Sequence, residues 1–389
     1  MAEGAHPAGS GSALQLRYGL NPDQVPASVE AAAGGPLPLE VLCGRPGYIN
    51  LLDALFGWQL VRALRARFAL PAAASLKHVT PAGAALGLPL DPGLAAACRV
   101  PASGLSPVAA AYARARGADR MASFGDFAAF SDPVDESAAE LLGREVSDGV
   151  VAPGYEPAAL ERLRRKKGGG YLVLRMDPAW EPPAEERREV FGVAFRQPRS
   201  AQPVEEGTPA TRRKDVPPEA ARDMVLAAIV LRYTPSNSVC LAVDGQAIGV
   251  GAGQQARIHC TRLACGKAEN WWLRQHPRAL ALPFPPGAPR PARDNATDAW
   301  LAGEPLPGGP ELPPGLSAEE RAAWLGRLRG VALASDGFIP FRDNVDRAAR
   351  TGVRYIWQPG GSERDAEVVA AADEHDMVMC LSGLRLFHH

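Results

Sequence analysis

The sequence predicts an α/β protein built as two comparable, sandwich-like halves. Three observations carry that reading. Strand-like and helix-like segments alternate along the chain. From Val331 the order is strand (VALAS), helix (NVDRAART, stopped by Gly352), strand (VRYIW), helix (SERDAEVVAAADEH), strand (MVMCL), which implies a largely parallel sheet. A stretch at 177–217, rich in proline and in charges of both signs, divides the chain near its middle. With 389 residues, 46% of them hydrophobic and 22% charged, the chain is long enough to bury a sizeable core without cross-links.

In chain order, residues 1–15 are small and polar and read as a flexible tail, with neither the basic nor the apolar region of a signal peptide. The first half spans 16–176. In it, Leu52, Leu55, Phe56, Leu60 and Leu64 form a helical stripe, and AAASL reads as a strand ending at Lys77. Thr80 and Pro81 read as an N-cap and first helical residue opening a helix over PAGAALG. Lys77 and His78 are thereby expected at the C-terminal end of a strand, where open α/β sheets present ligand-facing groups. The basic run from Arg164 to Lys167, followed by Gly168–Gly170, reads as a helix C-terminus.

The second half spans 218–389. SVCLAVDGQAIGVG reads as a hairpin turning at Asp244-Gly245. Glycines 249, 251 and 253 lack the spacing of a dinucleotide fingerprint and suit close backbone approach instead. Trp271 and Trp272 fall inside a helix and read as core or interface. The segment 282–316 is a proline-rich insertion expected as loop, and Asp343 and Ser362 precede helices, where N-capping is the ordinary role.

Composition excludes several classes of function. The net charge of -1 gives no field that favours nucleic acid or an anionic membrane. No apolar run approaches the ~20 residues of a membrane span. Six cysteines, none in a CxxC pair, suit reduced thiols in a cytoplasmic protein.

Several blocks, read together, resemble one family. These are LRYGLNP (16–22), PGYINLLDAL (46–55), SLKHVTPAGAA (75–85), AAYARARGADRMASFGDF (110–127), REVSDGVVAPGYE (144–156), YTPSNSVC (233–240), GVGAGQQARIHCTRLA (249–264), DGFIPFRDNVDRA (336–348) and LRLFHH (384–389). The family is the transformylase half of the bifunctional purine enzyme AICAR transformylase/IMP cyclohydrolase. The resemblance implies two cytidine-deaminase-like αβα halves with largely parallel or mixed sheets. No HxE or PCxxC occurs, so a zinc deaminase is not expected and no catalytic metal is implied.

The activity implied is transfer of a formyl group from 10-formyltetrahydrofolate, a co-substrate, to aminoimidazole carboxamide ribonucleotide (AICAR), by a cytoplasmic homodimer with sites across its interface. The catalytic residues implied are Lys77, His78 and Asn237. The AICAR contacts are Arg17, Tyr18, Gly125, Asp148, Asn237 and Arg385; the folate contacts are Arg257, Ile258, Phe338, Asp343, Ser362 and Glu363. His78 is the expected proton acceptor, Lys77 the group that steadies the oxyanion, and arginine at each end of the chain suits a phosphate.

Three features depart from the pattern: a shortened stretch around Pro101 and Ser103, the proline-rich insertion, and a cyclohydrolase half that residues 1–15 are too short to supply. A separate IMP cyclohydrolase is therefore a candidate partner. The rival reading is a non-catalytic regulatory paralogue that binds AICAR-like nucleotides.

Overall fold

The computed structural model describes residues 13–32 and 34–389. Residues 1–12 of the expected tail lie outside the described residues, and its last three enter a strand. That strand, β1 (Ala13–Leu16), pairs with β2 (Ala27–Glu30) in a small antiparallel sheet. The rest of the first half runs β3 (Leu39–Cys43), α1 (Tyr48–Phe68), β4 (Ala72–Lys77), β5 (Thr80–Leu86), α2 (Pro92–Cys98), α3 (Pro107–Gly117), β6 (Asp126–Phe130), α4 (Glu136–Arg144), β7 (Ser147–Ala152), α5 (Pro157–Arg165) and β8 (Leu172–Met176). An exposed hairpin, β9 (Glu185–Val190) and β10 (Val193–Pro198), follows.

The second half runs β11 (Thr208–Pro209), α6 (Pro218–Arg232), β12 (Val239–Val243), β13 (Gln246–Gly251), α7 (Arg257–Leu273), α8 (Pro277–Leu280), α9 (Arg290–Ala302), α10 (Ala318–Leu325), β14 (Val331–Ser335), α11 (Asp343–Ala349), β15 (Val353–Gln358), α12 (Asp365–Glu374) and β16 (Val378–Leu381). The fold is α/β, with a mixed sheet.

One twelve-stranded sheet crosses both halves in the order β11-β16-β15-β14-β12-β13-β5-β4-β6-β7-β8-β3. Its two wings are the same arrangement used twice. In the first, β4 pairs antiparallel with β5 and β6, then β6, β7 and β8 are parallel, and β3 closes the edge antiparallel. In the second, β12 stands for β4, β13 for β5, β14 to β16 for β6 to β8, and β11 for β3. The wings meet where Ala85 of β5 faces Gln246 of β13. The duplication lies in topology, since no sequence repeat accompanies it.

Both faces of the sheet are covered, so alternate strand residues feed two cores. Ala73 belongs to the core that holds Ala109 and Leu142 on one face, while Ala74 belongs to the core that holds Leu51 of α1 and Leu226 of α6 on the other.

Thr80–Leu86 is a strand, which corrects the helix expected over PAGAALG. Alanine, glycine and proline give no contrast between buried and exposed positions, so periodicity is mute there. Packing decides the outcome. A Cβ on Gly83 would lie 2.2 Å from the Ala115 carbonyl oxygen, because α3 rides directly on β5. The second wing repeats this contact at the equivalent Gly249, whose Cβ would lie 2.2 Å from the Ala264 oxygen of α7. Gly83→Ala should therefore destabilise the chain by about 1–3 kcal/mol through overpacking. A chemical-denaturation midpoint unchanged from wild type would mean that α3 is not seated on β5.

The segment 282–316 is not wholly loop. α9 begins with Pro291 in its first turn and buries Ala296, Trp300 and Leu301. Its Asp294 accepts from Arg120 at 2.8 and 3.1 Å and pairs with Arg99 at 3.0 Å, tying the insertion to the first half. Among the described residues no helix is long and apolar enough to cross a membrane, and no group of three or more His, Cys, Asp or Glu is placed to hold a metal.

Candidate functional site

Lys77 ends β4, as its sequence context predicts, and His78 and Val79 form the two-residue turn into β5. Both turn residues are left-handed, with φ of 52° and 61°. Such hairpin turns favour Asn-Gly; a β-branched residue there is rare and costs roughly 1–2 kcal/mol. The strain is held from beneath. Asp53 of α1, 6% exposed, accepts the Val79 N–H at 2.6 Å. His78 is left exposed at the sheet edge. Lys77 donates to the Phe124 carbonyl at 2.6 Å, which brings it beside Gly125. Gly125 has φ of 73° and faces the carboxylate of Asp148, which pairs with Lys167 at 3.1 Å. Lys77, His78, Gly125 and Asp148 thus share one end of the sheet.

A second cluster forms on the same edge, where β12 starts and β14 ends. Asn237 donates to the carbonyls of Gln254 and Gln255 at 3.0 and 3.2 Å and accepts from Arg257 at 2.8 Å. Arg257 also donates to the Ser238 carbonyl and pairs with fully buried Asp336, leaving its Nε without a partner among the described residues. The chain's last residues dock here. Leu386 donates its N–H to the Asp336 carbonyl at 2.8 Å, and the His388 backbone bonds to Ser236 twice, its N–H donating to the Ser236 Oγ and its carbonyl accepting from the Ser236 N–H. Arg385 stacks over Phe387 at 4.7 Å.

The two clusters are bridged by α1. Phe56 lies one turn beyond Asp53 and meets the His388 ring edge-on, with centroids 5.1 Å apart. Ile258 is half-buried and Phe338 is 46% exposed. Asp343, Ser362 and Glu363 follow β14 and β15 on this edge. Arg342, not Asp343, is the N-cap of α11, and Asp343 accepts from Asn344 instead. Ser362 accepts the N–H of Arg364, which is the N-cap of α12. Arg17 and Tyr18 stand past β1 on the small sheet, with the guanidinium 5.7 Å over the ring.

Asp53, Ser236, Asp336 and His388 escaped the reading of sequence. Asp53 had a signal: a carboxylate set in the apolar run LLDALF must find a partner if it is buried. Burial pushes its carboxyl up to about 6, against the Val79 N–H and the His78 imidazole, which favour the anion; Asp148 and Asp126 disfavour it. Since the folded value exceeds the unfolded one, this group favours folding most below the unfolded value. That advantage is lost as pH rises through about 6. Asp53→Asn should gain on wild type between pH 4 and 7, by at most about 3 kcal/mol. Denaturant unfolding of both proteins at the two pH values checks this, and a constant difference would remove Asp53 as the titrating group.

A family model described as AICARFT/IMPCHase bienzyme matches residues 5–267. A bifunctional purine biosynthesis protein PurH from Sorangium cellulosum is 33% identical over 389 residues, covering 97% of this chain and 59% of the relative. A bifunctional purine biosynthesis protein PurH from Magnetococcus marinus is 31% identical over 384 residues, covering 96% and 59%. The chain thus spans about 59% of the length of these curated relatives.

Proposed function

The chain belongs to the AICARFT/IMPCHase bienzyme family, and from that membership we propose that it is the formyl-transferring enzyme of purine biosynthesis that acts on AICAR. The observation that carries this reading is the Lys77–His78 turn: an exposed imidazole on a strained, carboxylate-braced hairpin, with an ammonium group beside it. The substrate amine is conjugated with an imidazole ring and is a weak nucleophile. His78 accepts its proton as the new N–C bond forms at the formyl carbon. Lys77 leaves the Phe124 carbonyl to meet the oxyanion. The bond from the formyl carbon to folate nitrogen then breaks, and the proton passes to that nitrogen.

Asn237 orients the amine, and Arg17, Tyr18, Gly125, Asp148 and Arg385 hold the nucleotide. Phe338 and Ile258 cover the pterin beside Arg257, and Asp343, Ser362 and Glu363 supply polar contacts. Each half takes the cytidine-deaminase-like form without its metal, the division following 16–176 and 218–389. The test is a formyl-transfer assay with AICAR and 10-formyltetrahydrofolate, product being followed by chromatography. Nucleotide binding without formylated product would favour the regulatory paralogue.

The working unit in this proposal is a cytoplasmic homodimer. The β9–β10 hairpin supports it: Val190, Phe191, Val193 and Phe195 are 49%, 102%, 56% and 58% exposed, an apolar ribbon that a second copy would cover. If the site is shared between copies, inactive His78→Ala and Asn237→Ala chains should regain part of their activity when co-refolded. One composite site of the heterodimer would then be intact. No recovery in proven heterodimers would assign each site to one chain.

A further inference from the structure

The internal duplication gives the catalytic turn a counterpart. Asp244 and Gly245, at φ of 49° and 70°, link β12 to β13 as His78 and Val79 link β4 to β5. Arg329 and Gly330 precede β14 as Phe124 and Gly125 precede β6, and both glycines are left-handed, at φ of 71° and 73°. Because β5 and β13 run antiparallel, this second turn lies at the opposite end of the sheet. A cleft of about 200 Å³ opens beside it, between the two wings.

The cleft is walled by Trp271 and Trp272 of α7, and three of its side chains carry buried polar atoms with no partner among the described residues. Trp271 is 7% exposed and its Nε1–H is unused; Gln246 is fully buried and its Oε1 is unused. The Gln246 amide nitrogen is already committed to the Arg114 carbonyl at 2.7 Å, so the free oxygen is fixed in place. Arg114 is 1% exposed; it bonds to Pro89 and Asp244, leaving Nε free. Unpaired groups this deeply buried each cost about 1–3 kcal/mol. Two of them are complementary in kind, a donor on Trp271 and an acceptor on Gln246.

Charge at the mouth is positive. Arg327 and Arg329 are exposed there. The carboxylates nearby are occupied: Asp244 by Arg114 at 2.7 Å, and Asp91 by the N–H groups of Gly93 and Leu94 that it caps. The volume lies below the ~300 Å³ floor of sites for drug-sized ligands, so it admits one planar ring system and leaves any charged tail outside.

We propose that this cleft is a second binding site, for a mononucleotide. The base enters between the wings, offering an acceptor to Trp271 and a donor to Gln246, and the phosphate meets Arg327 and Arg329. None of these residues lies on the catalytic edge, so the proposal stands or falls apart from formyl transfer.

AMP, GMP, adenine, guanine and ribose 5-phosphate are the probes, titrated against the full chain by calorimetry and by tryptophan fluorescence. One nucleotide should saturate, its free base binding more weakly. Trp271→Phe, which removes three ring atoms, the indole N–H among them, should weaken both about 5–10-fold. Arg327→Ala with Arg329→Ala should weaken the nucleotide about 10–100-fold and leave the base unchanged. These two are surface changes that keep the core intact. The proposal is overturned if no probe saturates. It is equally overturned if nucleotide binding survives the paired arginine change and is lost instead in Arg385→Ala, which would assign it to the catalytic edge.

Discussion

Replacing His78 should lower formyl-transfer turnover by about 10²–10⁴-fold, the usual worth of a positioned proton acceptor. The imidazole is exposed at the tip of the β4–β5 hairpin, so its loss leaves no cavity. Its backbone is left-handed, and alanine there adds strain that could be mistaken for a catalytic effect. His78→Asn avoids this, since asparagine tolerates that conformation while removing the base. Both variants should bind AICAR nearly as well as wild type, the phosphate being assigned to other residues. Turnover in His78→Asn within a few-fold of wild type would take the imidazole out of the mechanism. A parallel loss of affinity and turnover would mean that the turn, rather than the base, was damaged.

Much of this edge was legible from residue types. Lys77 and His78 at a strand end, the Asp244-Gly245 hairpin and the alternating elements from Val331 all appear where pattern and turn chemistry place them. The helix expected after Thr80 shows the limit. Residues 80–86 carry helix-start signals, yet they fold as a strand because two α-helices are seated on the paired central strands, a tertiary demand that no local window contains. The His78–Val79 turn was hidden for a related reason: neither residue is a turn former, and the Asp53 carboxylate that holds them comes from a helix 26 residues earlier. The residues organising the second cluster were similarly obscure. Asp336 is one acid among many in sequence, and its role follows only from burial and from what converges on it.

That convergence makes Asp336 a position where a single change should cost much stability. Its carboxylate is fully buried and accepts from Ser236 Oγ and from the N–H and Oγ of Ser238, the latter two at 3.0 and 2.9 Å. It also neutralises Arg257, itself 8% exposed, while its own carbonyl holds the Leu386 N–H. Asp336→Ala strands a guanidinium and several donors in the interior, and should cost about 3–5 kcal/mol. Asp336→Asn keeps the shape and one acceptor and should cost less. Asp336→Ala combined with Arg257→Met should recover much of the loss, because an apolar pair needs no counter-charge. Denaturant midpoints of the four proteins decide the question. Asp336→Ala within about 1 kcal/mol of wild type would mean that water reaches the pair and that the hub is not buried in solution. Recovery of stability without recovery of turnover in the double variant would separate the two roles of the hub, support of the fold and placement of Arg257 in the proposed site.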